Sequence, residues 1–127
     1  MANHVIVHVE LSSTNLADSQ AFYRALFGWK TQPWGSDYAL FTPPSGPGGG
    51  FNPVGGRWKP GDVVVYVSTD DIPGTLARVK ALGGKTVVPE TEIPDVGWYA
   101  LFHDPSGNVL GLFKAKGGAE RPSEGSG

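Results

Sequence analysis

Two stretches of this 127-residue chain match each other: residues 38–51 read YALFTPPSGPGGGF, and residues 99–112 read YALFHDPSGNVLGL. At an offset of 61 residues they share a Tyr-Ala-Leu-Phe start, a Pro-Ser-Gly turn and a later glycine, Gly50 or Gly111. A weaker match at an offset of 56 precedes each copy and relates Val7 to Val63 and Gly28 to Gly84. Two copies are too few, and the period too long, for a solenoid. The repeat therefore indicates one duplicated domain with two similar halves.

The first half reads as strand, helix and three strands. Residues 5–11 alternate between apolar and polar side chains, which is typical of a half-buried strand. Asn15 has the side chain of a helix N-cap, and Gly28 is suited to end that helix. The apolar positions predicted to form its buried stripe are Ala21, Phe22, Ala25 and Leu26. Strands are predicted at residues 30–34, 38–42 and 48–53.

The second half repeats this order. A strand at 63–68 precedes a helix that Asp71 caps and Gly83-Gly84 ends, and strands are predicted at 85–88, 98–103 and 109–113. The first module is assigned to residues 1–56 and the second to residues 57–114. Residues 115–127 have almost nothing to bury, so they are predicted to form a disordered tail.

The turn at residues 104–107, Asp-Pro-Ser-Gly, favours a type I turn with a one-residue bulge. That turn sets His103 opposite Val109, Leu101 opposite Gly111 and Tyr99 opposite Phe113, all on one face. A plain two-residue turn would reverse this facing. The other face would pack on the helices, and its residues are Ala100, Phe102, Leu110 and Leu112.

Composition excludes several classes of function. There are 10 basic and 12 acidic residues and no basic cluster, which argues against a nucleic-acid partner. The absence of cysteine excludes disulfides and thiolate metal sites. No apolar run approaches the roughly 20 residues of a membrane span, and Met1 begins no signal-peptide pattern. The sequence predicts a soluble cytoplasmic protein with no membrane partner.

Three motifs carry a resemblance to a known family: His-Val-Glu at 8–10, Ala-Phe-Tyr-x-x-Leu-Phe-Gly-Trp at 21–29, and Gly-Trp-Tyr-Ala-Leu-Phe-x-Asp-Pro-Ser-Gly-Asn at 97–108. Over about residues 4–114, the chain resembles the vicinal oxygen chelate superfamily of glyoxalase I, bleomycin-resistance proteins, fosfomycin-resistance transferases and extradiol dioxygenases. The resemblance implies an α+β fold in which two tandem βαβββ modules form a curved sheet around a cavity. It also implies a homodimer.

Metal-using members of this superfamily take their ligands from the first and last strands of each half. The resemblance carries those positions to His8, Val64, Gly50 and Gly111, of which only His8 can bind a metal. We therefore predict no resident metal or other cofactor. The alternative is a metal-dependent glyoxalase- or dioxygenase-like enzyme with non-standard ligands, which Glu10 and His103 could supply beside His8.

His8 and Glu10 are the candidate catalytic residues. They could act as general acid and base, with pKa values drawn toward neutrality by burial and by each other. They could instead orient a polar group of a bound molecule. The blander interpretations are a hydrogen-bonded strand histidine and a carboxylate at a dimer interface.

Aromatic residues and cavity-facing positions make up the candidate ligand-binding set. Its members are Tyr66, Tyr99, Leu101, His103, Gly111, Trp58, Trp98, Trp34 and Tyr38. The leading hypothesis is that the protein binds a small aromatic or amphipathic molecule in the cavity and sequesters it, as bleomycin-resistance proteins do. The enzymatic alternative without metal is an isomerase or cyclase that uses His8 and Glu10.

Overall fold

A computed structural model describes residues 3–118. This part of the chain forms two compact units, residues 8–64 and, as the second unit, residues 65–118 with residues 3–7. Each unit holds the larger part of one module. The boundaries 1–56 and 57–114 describe the repeat in the sequence and stay a prediction.

The first module has the predicted βαβββ order. Its elements are β1 (Ile6–Ser13), α1 (Leu16–Phe27), β2 (Lys30–Pro33), β3 (Ala39–Thr42) and β4 (Gly48–Pro53). The strands lie in the order β2-β3-β4-β1, with β4 parallel to β1 and antiparallel to β3.

The second module repeats that order, which confirms the α+β class. Its elements are β5 (Val63–Ser68), α2 (Ile72–Ala81), β6 (Lys85–Ile93), β7 (Gly97–His103) and β8 (Val109–Ala115). The strands lie in the order β5-β8-β7-β6, and β8 is parallel to β5. Among the described residues, no helix is long and apolar enough to cross a membrane.

Both helices begin with the same hydrogen-bonded cluster, 56 residues apart. Asn15 accepts a hydrogen bond from the backbone of Asp18 at 2.9 Å, and Asp71 accepts one from Gly74 at 2.9 Å. Behind these caps, paired hydroxyl groups join the preceding strand to the helix; the pairs are Ser13 with Ser19 and Thr69 with Thr75. The predicted N-caps are confirmed, and the duplication extends to individual hydrogen bonds.

The buried face of α1 is not the predicted one. Phe22 is 57% exposed and Leu26 is 56% exposed, whereas Leu16 and Tyr23 pack against the core of the first module. That core consists of Ala39, Phe41 and Phe51. The helix has two apolar faces nearly opposite each other, so helical spacing alone could not choose between them. Aromatic stacking decides the choice, because Tyr23 stacks on Trp29 at 5.4 Å and on Phe51 at 5.6 Å between ring centroids.

The second module confirms the predicted facing of its hairpin. His103 pairs with Val109, Leu101 with Gly111 and Tyr99 with Phe113. The opposite face packs against α2, where Ala100 and Leu112 form a buried cluster with Ile72 of the helix. Gly107 has a φ of 89°, which is the left-handed conformation that this position of the turn requires and that glycine adopts readily.

Two strands are longer than predicted. β6 extends to Ile93 instead of ending at Val88, and its pairing with β7 is irregular on either side of Val88. β8 continues through Ala115, which pairs with Gly97 and is 2% exposed. The predicted disordered tail therefore starts too early, because a small apolar residue completes the ladder. The part of the predicted tail after residue 118 lies outside the described residues.

Candidate functional site

One face of the strands in the first module carries a group of polar side chains, including His8 and Glu10. Alternate residues of a strand share a face, and paired residues on neighbouring strands point to the same side. The register, continued one step past the paired residues, arranges this face in three rows. From β2 to β1 the rows are Lys30, Thr42, Gly48 and His8; then Gln32, Leu40, Gly50 and Glu10; then Trp34, Tyr38, Asn52 and Ser12. We call these side chains the polar face.

Tyr38 reaches across the polar face because β4 presents glycine there. A Cβ atom at Gly50 would overlap the hydroxyl and ring of Tyr38. The tyrosine ring therefore occupies the space directly above the Gly50 backbone. From β3 it places its hydroxyl beside the polar side chains of β1.

The Tyr38 hydroxyl joins Glu10 to His8. It donates a hydrogen bond to Glu10 Oε2 at 2.7 Å, and its oxygen lies 3.0 Å from His8 Nε2. Because the single hydroxyl proton goes to the carboxylate, His8 Nε2 is the donor in the second hydrogen bond. The other carboxylate oxygen, Oε1, accepts a hydrogen bond from Asn52 Nδ2 at 2.8 Å.

Glu10 is ionised at neutral pH. Its side chain is 12% exposed, and His8 Nε2 lies 3.7 Å from Oε2. Burial acts to raise the pKa of Glu10, but the hydrogen bond and charge of His8, with hydrogen bonds from Tyr38 and Asn52, hold it below its ordinary value of 4.5. The expectation that the pKa of this carboxyl is drawn toward neutrality is wrong. Its hydrogen-bond donors outweigh its burial.

The lowered pKa of Glu10 predicts how the stability of the protein depends on pH. A group with a lowered folded-state pKa contributes stability above its unfolded pKa, and that stability is lost as the pH falls through the folded value. We expect wild type to lose stability relative to Glu10→Gln between about pH 5 and pH 3. Urea unfolding of both proteins across this range checks it. A difference in unfolding free energy that stays constant throughout would contradict the assignment.

The equivalent face of the second module is mostly apolar. Tyr66 stands at the position of Glu10 and Phe113 at that of Asn52, and they are 7% and 8% exposed. The Tyr66 ring lies over Gly111, so that a Cβ atom there would overlap it. Four further candidates belong to this face: Tyr99, Leu101, His103 and Gly111.

The other predicted binding residues are dispersed. Trp34, half exposed, follows β2 and donates its backbone N–H to the carbonyl of Tyr38. Trp58 is half-buried in a tight turn closed by two backbone hydrogen bonds with Gly55. Trp98 lies on the opposite side of β7 and packs against the core around Ile72. Thus His8, Glu10 and Tyr38 are brought together, whereas Trp98 is directed away from Tyr99.

Asn52 is the site residue that sequence reasoning missed. It occupies the position two residues beyond Gly50 on β4, so strand alternation alone places it on the face of Gly50. The alternation that places Asn52 was therefore present in the sequence. It was hard to recognise because the strand is rich in glycine and offers few side chains that show an alternating pattern.

The residues do not fit the usual metal site of the superfamily. Tyrosine rings cover both Gly50 and Gly111, the positions where metal-using members would place acidic ligands, and Val64 has no donor atom. Among residues 3–118 there is no group of three or more His, Asp or Glu side chains that could hold a metal ion.

Comparison with known proteins agrees with this fold. The family model of a glyoxalase-like domain matches residues 8–113, so the chain belongs to the glyoxalase-like domain family. This membership confirms the resemblance to the vicinal oxygen chelate superfamily.

Two curated relatives are 27% identical to the chain over the regions that align. It is 27% identical over 124 residues to the putative glyoxylase CFP32 of Mycobacterium tuberculosis, covering 84% of this chain and 44% of that protein. It is 27% identical over 128 residues to the anthracycline biosynthesis protein DnrV of Streptomyces peucetius, covering 83% and 45%. The chain thus spans less than half the length of these relatives.

Solved structures share the fold at low identity. A variant of Streptomyces coelicolor methylmalonyl-CoA epimerase, in complex with 2-nitronate-propionyl-CoA, matches with a TM-score of 0.67 at 17% identity, over 91% of this chain and 97% of that one. The Mn(II)-bound glyoxalase from Novosphingobium aromaticivorans matches with a TM-score of 0.65 at 17% identity, over 88% and 40%.

Proposed function

We propose that this domain binds a small aromatic or amphipathic molecule on the polar face of the first module, without a resident metal. The observation that carries the proposal is the Tyr38 ring above Gly50, with its hydroxyl held by Glu10 and His8. A hydrogen-bonding aromatic ring stands where a metal enzyme of the superfamily would place a carboxylate. Shape and hydrogen bonds would then hold the ligand, as in sequestration by bleomycin-resistance proteins.

Exposed aromatic surface supports the choice of ligand. Trp34 is 50% exposed beside Tyr38, and flat rings bind well against indole and phenol rings. DnrV belongs, by its name, to the biosynthesis of anthracyclines, which are flat polycyclic molecules. The similarity to DnrV agrees with an aromatic ligand for this chain.

The alternative is a metal-independent isomerase or cyclase that moves a proton through His8, Tyr38 and Glu10. The chain of hydrogen bonds among these three side chains favours it. However, a carboxylate whose pKa is lowered is a weak general base. We therefore rank binding ahead of catalysis.

A fluorescence titration tests the binding proposal. The probe is 2-naphthol, added to chelator-treated protein while tryptophan emission is followed. We expect micromolar binding that added divalent metal does not change, and a loss of about ten-fold or more in affinity for Tyr38→Ala. Trp98→Phe is the matched control, because that side chain packs on the opposite side of β7, and it should bind as wild type does.

Three results would contradict the proposal. The first is the absence of any binding at micromolar protein concentrations. The second is binding that appears only when a divalent metal is added. Equal losses in Tyr38→Ala and Trp98→Phe would place the ligand away from the polar face.

A further inference from the structure

The orientation of one amide specifies the chemistry of the ligand. We propose that the polar face selects a planar molecule bearing a hydrogen-bond donor, a hydroxyl or amino group, and that the side-chain oxygen of Asn52 accepts this donor. The inference rests on the proposed function and deepens it by naming the ligand class.

The first step is that Glu10 fixes the amide of Asn52. An ionised carboxylate can only accept hydrogen bonds, and both oxygens of Glu10 do so, because Oε2 accepts from the Tyr38 hydroxyl and Oε1 from Asn52. Asn52 must therefore direct its NH₂ group at Glu10, where Nδ2 lies 2.8 Å from Oε1. The reversed amide would bring two acceptor oxygens together, so only one orientation is stable.

The second step is that this orientation leaves an acceptor available. With Nδ2 committed to Glu10, the side-chain oxygen Oδ1 points away from the carboxylate and accepts no hydrogen bond within the described chain. No buried side-chain nitrogen or oxygen of the described residues lacks a partner, so this oxygen is accessible to solvent. A ligand that displaces the solvent must offer a donor in its place, or the oxygen loses a hydrogen bond.

The third step is the surroundings of that oxygen. Asn52 shares its row with Tyr38 and Trp34, so aromatic rings follow it across the polar face. Ser12 lies at the other end of the row, beyond Asn52, and its hydroxyl donates to the carbonyl of Asp62 at 2.9 Å. A flat ring near Trp34 and Tyr38 would therefore meet Asn52 before Ser12.

The Glu10→Gln substitution should remove the selection for a donor. The new amide would keep its oxygen toward the Tyr38 hydroxyl, which donates to the carboxylate now, and would present its NH₂ group to Asn52. Asn52 would then turn its own oxygen toward that NH₂ group and expose its nitrogen to the ligand. The site would prefer a ligand with an acceptor.

The experiment compares 2-naphthol, which has a donor, with 2-methoxynaphthalene, which has only an acceptor. Binding is followed by the NMR signals of the Asn52 side-chain amide and the Trp34 indole N–H. We expect wild type to prefer 2-naphthol by roughly ten-fold, since one hydrogen bond is worth about that factor. The preference should disappear both in Asn52→Ala and in Glu10→Gln, because the naphthol oxygen and the ether oxygen can both accept a hydrogen bond from an exposed NH₂ group.

The possible results separate this inference from the proposed function. If neither probe binds wild type and no signal shifts, both fail together. If both probes bind wild type equally and shift the Trp34 signal, the proposed function stands and the donor selection is overturned. A ten-fold preference that persists in Asn52→Ala overturns the role of Asn52. A folded Glu10→Gln that keeps the wild-type preference overturns the control of its amide by Glu10.

Discussion

Replacing Gly50 with alanine is expected to lower the free energy of unfolding by about 3 kcal/mol or more and to abolish binding at the polar face. The added methyl group would overlap the Tyr38 hydroxyl, so the ring has to leave its place above β4. Glu10 would then lose the donor that lies 2.7 Å from its Oε2 while it remains largely buried. Losing a hydrogen bond to a charged group costs about 1.5–3 kcal/mol, and overpacking adds about 1–3.

A double-mutant cycle with Tyr38→Ala tests the cause. Urea unfolding of both single variants and the double variant gives the coupling between the two positions. If overlap with Tyr38 is the reason, Gly50→Ala should cost far less once Tyr38 is alanine. Simple additivity of the two changes would show that Gly50 is needed for some other reason.

The second large effect is expected in the core beneath α1. Phe51→Ala should lower the free energy of unfolding by about 3–5 kcal/mol, because Phe51 is fully buried between Tyr23 and Phe41 and its removal leaves a cavity. Phe22→Ala, which deletes the same atoms from a ring that is 57% exposed, should cost less than about 1 kcal/mol.

Chemical unfolding followed by circular dichroism compares the two variants directly. They remove the same side chain from one module, so they form a matched pair that differs only in burial. A cost for Phe22→Ala close to that of Phe51→Ala would contradict the outward direction of Phe22. It would restore the buried stripe inferred from helical spacing.

Much of the fold was available from the sequence because the two halves confirm each other. The N-caps at Asn15 and Asp71 and the hairpin register around Gly111 follow from local chemistry that tertiary packing did not override. β4 was placed correctly at residues 48–53, although glycine is a poor strand former. The match to the second half of the sequence indicated this strand, whereas strand propensity did not.

The parts that failed depend on contacts between residues far apart in the chain. α1 has two apolar faces, and only the stacking of Tyr23 on Trp29 and Phe51 determines which one is buried. Burial acts to raise the pKa of Glu10, but His8 on the same strand lowers it, and so do hydrogen bonds from Tyr38 and Asn52, 28 and 42 residues away. Periodicity within one element carries no information about Tyr38 and Asn52, and the predicted direction of this pKa shift was wrong.

The two modules share one backbone arrangement but carry different side chains on the equivalent face of their strands. Tyr99 and Gly111 repeat Tyr38 and Gly50 in the sequence. The first module has the charged Glu10 and its hydrogen-bond donor Asn52 next to this pair, whereas the second module has Tyr66 and Phe113 at the equivalent positions. Exchanging Glu10 and Asn52 for their counterparts would change the chemistry of the first face, while the hydrogen bonds of the helix caps at Asn15 and Asp71 involve other residues.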